Sequence, residues 1–259
     1  MIRTTLQSCF LVIIAGVLTP PTSMAQLPPA ETSYYEVAGS WLGLAPKGNV
    51  QTNSNRVDFR SDLGIDGIQS QVGFWFLAKP WERSGLFVEF IPYRFDGNLT
   101  ISRSFRFGGV TYPTSQPVTA TATLNYVSLG YHGDIVKRLR TQASLLAGIS
   151  YFAVRSRASS PAVGTAEVDR DLPFPLVGLS ARYSPTLKSS FVFRGDIRGM
   201  TFGSYGNYLD VAAALGWNLS RHVALEGGYR VVDGKGHHRT RGGELNFRGP
   251  TITLRLRDR

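Results

Sequence analysis

Ten short segments of this chain place an apolar residue at every second position. In one of them Leu209, Val211, Ala213, Leu215, Trp217 and Leu219 alternate with Asp210, Ala212, Ala214, Gly216 and Asn218. A period of two describes a β-strand with one apolar and one polar face. The segments fall at 33–44, 69–79, 85–97, 118–134, 140–155, 173–183, 190–200, 208–219, 223–232 and 244–257. Short turns follow the second, fourth, sixth and eighth, and longer polar loops follow the others. Pro92 interrupts the third segment and predicts a bulge there, because proline cannot donate to a ladder. Phe105-Arg106-Phe107 leading into Gly108-Gly109 predicts a small hairpin inside the second long loop.

The ends of the chain say where such strands would sit. Arg3, an apolar stretch from Cys9 to Leu18, and Ser23-Met24-Ala25 form the three parts of a signal peptide. Residues 1–25 are therefore expected to be removed, 26–32 to form a short periplasmic leader, and 33–259 to form one domain. The rival is an uncleaved anchor. Cys9 is the one cysteine and lies in that signal, so the exported chain is expected to have no thiol chemistry. No segment has the roughly 18 uncharged apolar residues of a transmembrane helix. The mean hydropathy of −0.07 reflects apolar and polar residues cancelling in alternation. The expected fold is all-β: an antiparallel up-and-down transmembrane β-barrel of ten strands, with eight as the alternative.

A secreted soluble barrel would also alternate, with its apolar faces inward around a ligand. The polar faces argue for the opposite orientation. They carry Ser144, Gly148, Ser150, Gly178, Ser180, Ala212, Ala214 and Gly216, which suit a narrow interior better than a wet surface. Aromatic residues also stand on the apolar faces near the short turns. Tyr131, Tyr183 and Trp217 would share one membrane interface, and Trp41 would mark the other.

With apolar faces toward lipid, parity puts Glu36, Glu89, Asp196, Asp210 and Glu226 in the lumen, with Arg182, Arg194, Arg198, Arg230 and Arg255. Buried charges need partners. The near-balance of sign predicts a lumen closed by ion pairs, with a small porin-like channel as the alternative. Outside, Arg56, Arg60, Arg103, Arg106, Arg155, Arg157, Arg170, Lys235, Arg239 and Arg241 fall in the long loops. The net charge of +10 falls to about +9 without Arg3. Scattered arginine in an exported chain suits the phosphates of outer-membrane lipid and lipopolysaccharide better than nucleic acid. The barrel-assembly machinery is the other expected partner, and the oligomeric state is left open.

Catalysis finds little support in the residues. His132 shares a face with Ser128 and Asp134, but residues four apart on a strand are about 13 Å apart, too far for Ser128 to meet His132. His237-His238 lies in a basic loop with no carboxylate or cysteine to complete a metal site. Asp169 and Asp171 resemble the acidic residues of outer-membrane proteases, without a matching acid and histidine. No catalytic residue, metal ligand or cofactor is assigned.

Val57-Asp58-Phe59-Arg60-Ser61-Asp62-Leu63-Gly64-Ile65-Asp66, Phe90-Ile91-Pro92-Tyr93-Arg94-Phe95, Val127-Ser128-Leu129-Gly130-Tyr131 and Gly228-Tyr229-Arg230 carry a family likeness. On them the chain resembles small outer-membrane barrels of the OmpA and OmpW type. More narrowly, it resembles uncharacterised barrels of Gram-negative environmental bacteria. The resemblance implies a fold and no catalytic residue. It also implies a terminal aromatic residue for assembly, where this chain ends Leu256-Arg257-Asp258-Arg259.

Overall fold

The computed structural model describes residues 35–52, 55–186, 190–201, 206–238 and 241–258. The signal peptide and leader read from the sequence lie outside them. The strands are β1 (Tyr35–Thr52), β2 (Asn55–Asp58), β3 (Gln69–Trp81), β4 (Ser84–Thr100), β5 (Phe105–Phe107), β6 (Val110–Tyr112) and β7 (Pro117–Lys137). They continue as β8 (Thr141–Ser160), β9 (Gly164–Tyr183), β10 (Phe191–Thr201), β11 (Gly206–Asn218), β12 (Val223–His238) and β13 (Arg241–Arg257). Ten of these form one antiparallel wall in the order β1, β3, β4, β7, β8, β9, β10, β11, β12, β13. Pairing of β13 with β1 closes it, from Glu36↔Arg257 to Thr52↔Arg241. β2 adds to the upper end of β1, and β5–β6 is a separate hairpin.

The staves outrun the alternating segments. Residues 45–52, 156–160 and 164–172, read from the sequence as loops, belong to β1, β8 and β9. β8 and β9 pair without interruption from Thr141↔Tyr183 to Ser160↔Gly164. Periodicity fails there because those stretches rise past the lipid. With 20 residues, β8 is about 66 Å long at roughly 3.3 Å per residue, well over the apolar band of about 25 Å even when tilted.

The outer face of each stave carries the apolar residues. Leu86, Val88 and Phe90 of β4, Val127, Leu129 and Tyr131 of β7, and Leu209, Val211, Leu215 and Trp217 of β11 are all exposed. A continuous apolar belt of this kind is the lipid-facing surface of a transmembrane barrel. At its lower rim aromatic rings lie side by side across the ladder, Tyr35 on Phe76 at 6.3 Å, Tyr183 on Phe193 at 6.4 Å and Phe191 on Trp217 at 6.5 Å.

Pro92 does something other than bulge its strand. β4 and β7 pair in unbroken register from Ser84↔Gly133 to Thr100↔Pro117. On the other side the β3–β4 ladder stops at Phe74↔Phe90. Above it, glutamine side chains take over the backbone's bonding. Gln71 Nε2 donates to the Arg94 carbonyl at 2.6 Å while Oε1 accepts from the Arg94 N–H at 2.9 Å. Gln69 does the same to Asp96, at 2.9 Å in both directions. The register shifts fall elsewhere, between Ala78 and Trp81 and between Asp134 and Val136.

Candidate functional site

In the lumen, charge, burial and a cavity coincide. Alternation places Glu89, Asp210, Arg198 and Arg230 on the inner face of four different staves. The Arg230 fork holds Asp210 in two bonds of 2.9 and 2.6 Å and reaches Glu89 at 2.9 Å. Arg198 lies 3.0 Å from Asp210 and also bonds Glu89. Tyr208 donates its hydroxyl to Asp210 at 3.2 Å. Two acids and two bases, all at least nine-tenths buried, thus form a closed quartet across the barrel.

A second tier lies nearer the periplasmic end. Arg255 grips Glu226 in two bonds of 3.0 Å and also bonds Glu36. Arg194 adds a 3.1 Å bond to Glu226 and stands 3.9 Å from Glu36. Arg257, which parity reasoning did not select, lies 3.6 Å from Glu36 and donates to Asn218 at 3.2 Å. Eight of the ten lumen charges read from the sequence therefore meet in the two tiers. Asp196 and Arg182 make no ion pair within 4.0 Å among the described residues, although Asp196 lines a cavity of about 120 Å³ beside the tiers.

Small residues create the room for these side chains. A Cβ at Gly178 would fall 2.6 Å from Arg198 Cγ, and one at Gly216 would fall 3.2 Å from Glu226 Cγ. Gly178 and Gly216 are therefore seats for large cross-strand neighbours, Arg198 and Glu226.

The extracellular half of the lumen departs from the sequence reading. Apolar residues were expected outside, yet Tyr93, Phe95, Tyr126, Phe152, Tyr208 and Phe247 point inward and are buried. Phe247 stacks on Tyr93 and Phe95 at 5.2 and 4.9 Å, and Phe152 meets Tyr126 and Tyr208 at 4.9 and 5.1 Å. Phe59, Leu63, Ile65, Phe105, Phe107 and Tyr112 add to this core from the first two long loops. The Phe105–Phe107 and Val110–Tyr112 strands form the expected hairpin, with Gly108 and Gly109 at φ 54° and 87°, where glycine is favoured. Arg103 joins the two loops, bonding buried Asp62 at 2.8 and 2.5 Å. The alternation keeps its phase here, with Tyr93 and Phe95 on the same inner face as Glu89; what changes is chemistry, because above the lipid the outer wall meets water and apolar side chains have only the interior to fill.

His132 and Asp134 lie inside the periplasmic end. His132 Nδ1 is 3.7 Å from Asp134, whose carboxylate accepts from Lys79, Gln142 and Ser144 at 2.7 to 3.1 Å. Ser128 is buried four residues further in along β7, paired across the ladder with Glu89 and Ser150. These contacts form a structural knot at the register shift of β7. Asp169 faces Arg155 at 3.9 Å on the exposed β8–β9 wall. The side chains of His237, His238 and Arg241 lie outside the described residues, as does Arg239. Among the described residues no group of three or more His, Cys, Asp or Glu could hold a metal ion.

Tyr131, Tyr183 and Trp217 stand 46, 44 and 52% exposed on the outer wall near the periplasmic ends of their strands. Trp41 stands higher on the outer face of β1, with its ring over Gly43.

No family model matches this chain and no curated protein does. Among solved structures it is similar to the outer membrane protease OmpT from Escherichia coli. The TM-score is 0.56 at 13% identity, over 91% of this chain and 100% of that one. It is also similar to the translocator domain of the autotransporter NalP from Neisseria meningitidis, with a TM-score of 0.43 at 8% identity over 99 and 96% of the chains. Ail, the attachment invasion locus protein of Yersinia pestis, gives 0.36 at 10% identity over 85 and 98%. The likeness to OmpT is one of fold, a closed outer-membrane barrel; the other two scores carry no weight.

Proposed function

From that shared barrel fold we propose that this chain is an outer-membrane protein whose barrel is held shut and whose role is structural or surface-directed. The observation that carries the reading is double occlusion: paired charges fill the lumen below and an aromatic core fills it above. Export by the signal peptide and insertion by the assembly machinery belong to the same reading. In planar bilayers the protein is expected to give no steady conductance. Stable single-channel steps would put a small porin-like channel in its place. In the outer-membrane fraction, a shift in gel mobility on boiling is the expected mark of the intact barrel.

The partner proposed for the extracellular wall is phosphate of outer-leaflet glycolipid. On β8 the outward residues run from Ile149 and Tyr151 to Arg155 and Arg157, and Arg94 and Arg248 stand above the belt on β4 and β13. Guanidinium forks suit phosphate. Arg157→Ser, Arg170→Ser and Arg248→Ser together are expected to reduce glycolipid co-purification. Undiminished co-purification would remove this part of the proposal.

A further inference from the structure

The periplasmic tier of the lumen has more cation than its acids can neutralise. Arg182 on β9 and Arg194 on β10 are direct cross-strand partners on the inner face. Like charges placed so destabilise a sheet unless something lies between them. Arg257 is a third cation in the group: Arg194 and Arg257 both approach the Glu36 carboxylate, at 3.9 and 3.6 Å. Arg182 is within electrostatic reach of both. The acids facing them are Glu36 and Glu226, already engaged by Arg255. Asp196 has Ser180 and Ala212 as its cross-strand neighbours.

The hydrogen-bond pattern leans the same way. Nine buried side-chain atoms lack a partner among the described residues, and none is a carboxylate or amide oxygen. Four of them are donors in this tier: Arg182 Nε, Arg194 Nη2, Arg257 Nε and Asn218 Nδ2. Arg257 is nearly buried, with 4% of its side chain exposed, and Asn218 is 5% exposed. An unmade bond to a charged donor in such a place is costly. Surplus positive charge and surplus N–H donors at one point describe a receptor for an oxyanion.

We infer that the periplasmic end of the lumen binds a free inorganic oxyanion of the phosphate or sulfate class, held by Arg182, Arg194, Arg257 and Asn218. The site is separate from the outer wall, to which the glycolipid reading belongs. The oxyanion neutralises the cross-strand arginine pair and accepts the unpaired N–H bonds. Arg182 is the test residue because among the described residues it makes no ion pair of its own.

The experiment is denaturant unfolding of the refolded full barrel at increasing millimolar potassium phosphate, with ionic strength held constant by potassium chloride. The wild type is expected to show a saturable rise in midpoint. Arg182→Gln is expected to be at least as stable without phosphate, since a like charge is gone, and to lose the rise. Arg182→Lys keeps the charge but not the fork, and its half-saturation is expected to move up by about ten-fold, one charge-assisted bond. It serves if Arg182→Gln does not refold. An absent rise in the wild type, or an equal rise in Arg182→Gln or Arg182→Lys, overturns the site.

Discussion

The two halves of the lumen are closed by different means. Below, the staves alone supply the filling, as charged side chains crossing from one wall to another. Above, stave residues such as Tyr93 and Phe247 meet loop residues such as Phe59 and Phe105 in an apolar core. Paired charges are directional, so the lower half is all-or-none: removing one partner strands the other. Apolar contacts are graded, so the upper half yields side chain by side chain. A barrel built this way has a rigid floor and a mouth whose lining is easier to alter.

Breaking the quartet should give the largest effect. Glu89→Leu leaves Arg198 and Arg230 sharing Asp210 alone and is expected to cost about 3–5 kcal/mol of unfolding free energy. Adding Arg198→Met should recover part of that loss, and a double mutant no more stable than the single would erase the distinction between the halves. In the mouth, Phe247→Leu removes two stacked contacts, with an expected loss of about 1–3 kcal/mol. A second change at Phe152 should add nearly independently, because Phe247 and Phe152 belong to different ring groups; strong coupling between them would contradict the graded picture.

A smaller effect tests the seam beside Pro92. Gln71→Ala removes both side-chain bonds to Arg94 and is expected to cost about 1–2 kcal/mol, with faster amide exchange at Arg94 as the local sign. Protection at Arg94 equal to the wild type would show that the ladder does not depend on Gln71. Arg103→Ala is expected to cost about 1–2 kcal/mol, because Arg103 is half exposed but the Asp62 it leaves behind is buried and keeps, among the described residues, only its bond from the Asp58 N–H. Its readout is faster proteolysis within the first two extracellular loops; unaltered cleavage would mean the Arg103–Asp62 bond does not hold them together.

How much of this was readable in advance differs from place to place. The alternation of Leu209 to Leu219 marks β11 and its lipid face directly, and the short and long connections order all ten staves. Parity brought Glu36, Glu89, Arg198, Asp210, Glu226 and Arg230 to one lumen because the β period is two and each segment keeps its phase. It missed Arg257, which lies at the edge of the last segment. Tyr93, Phe152 and Tyr208 stand in phase with Glu89, Ser150 and Asp210, yet the rule that apolar residues face lipid hid them as lumen residues of the mouth. Gln69 and Gln71 carry no sequence mark of their bridging role, since what they replace is a ladder on the next strand.

Alone, then, the sequence determined the class of fold, the order of the alternating segments and which face of each meets lipid, because these follow from a local repeat and the cost of exposing apolar groups to water; closure of the wall by β13 and β1 decided between ten strands and eight. Only the closed structure decided which acid meets which arginine, since partners such as Glu89 and Arg230 stand 141 residues apart. It also decided where the strands end, because backbone pairing continues after side-chain alternation has stopped. The surplus of cation at Arg182, Arg194 and Arg257 belongs to the tertiary structure too: it exists only once three separate strands are brought around one lumen.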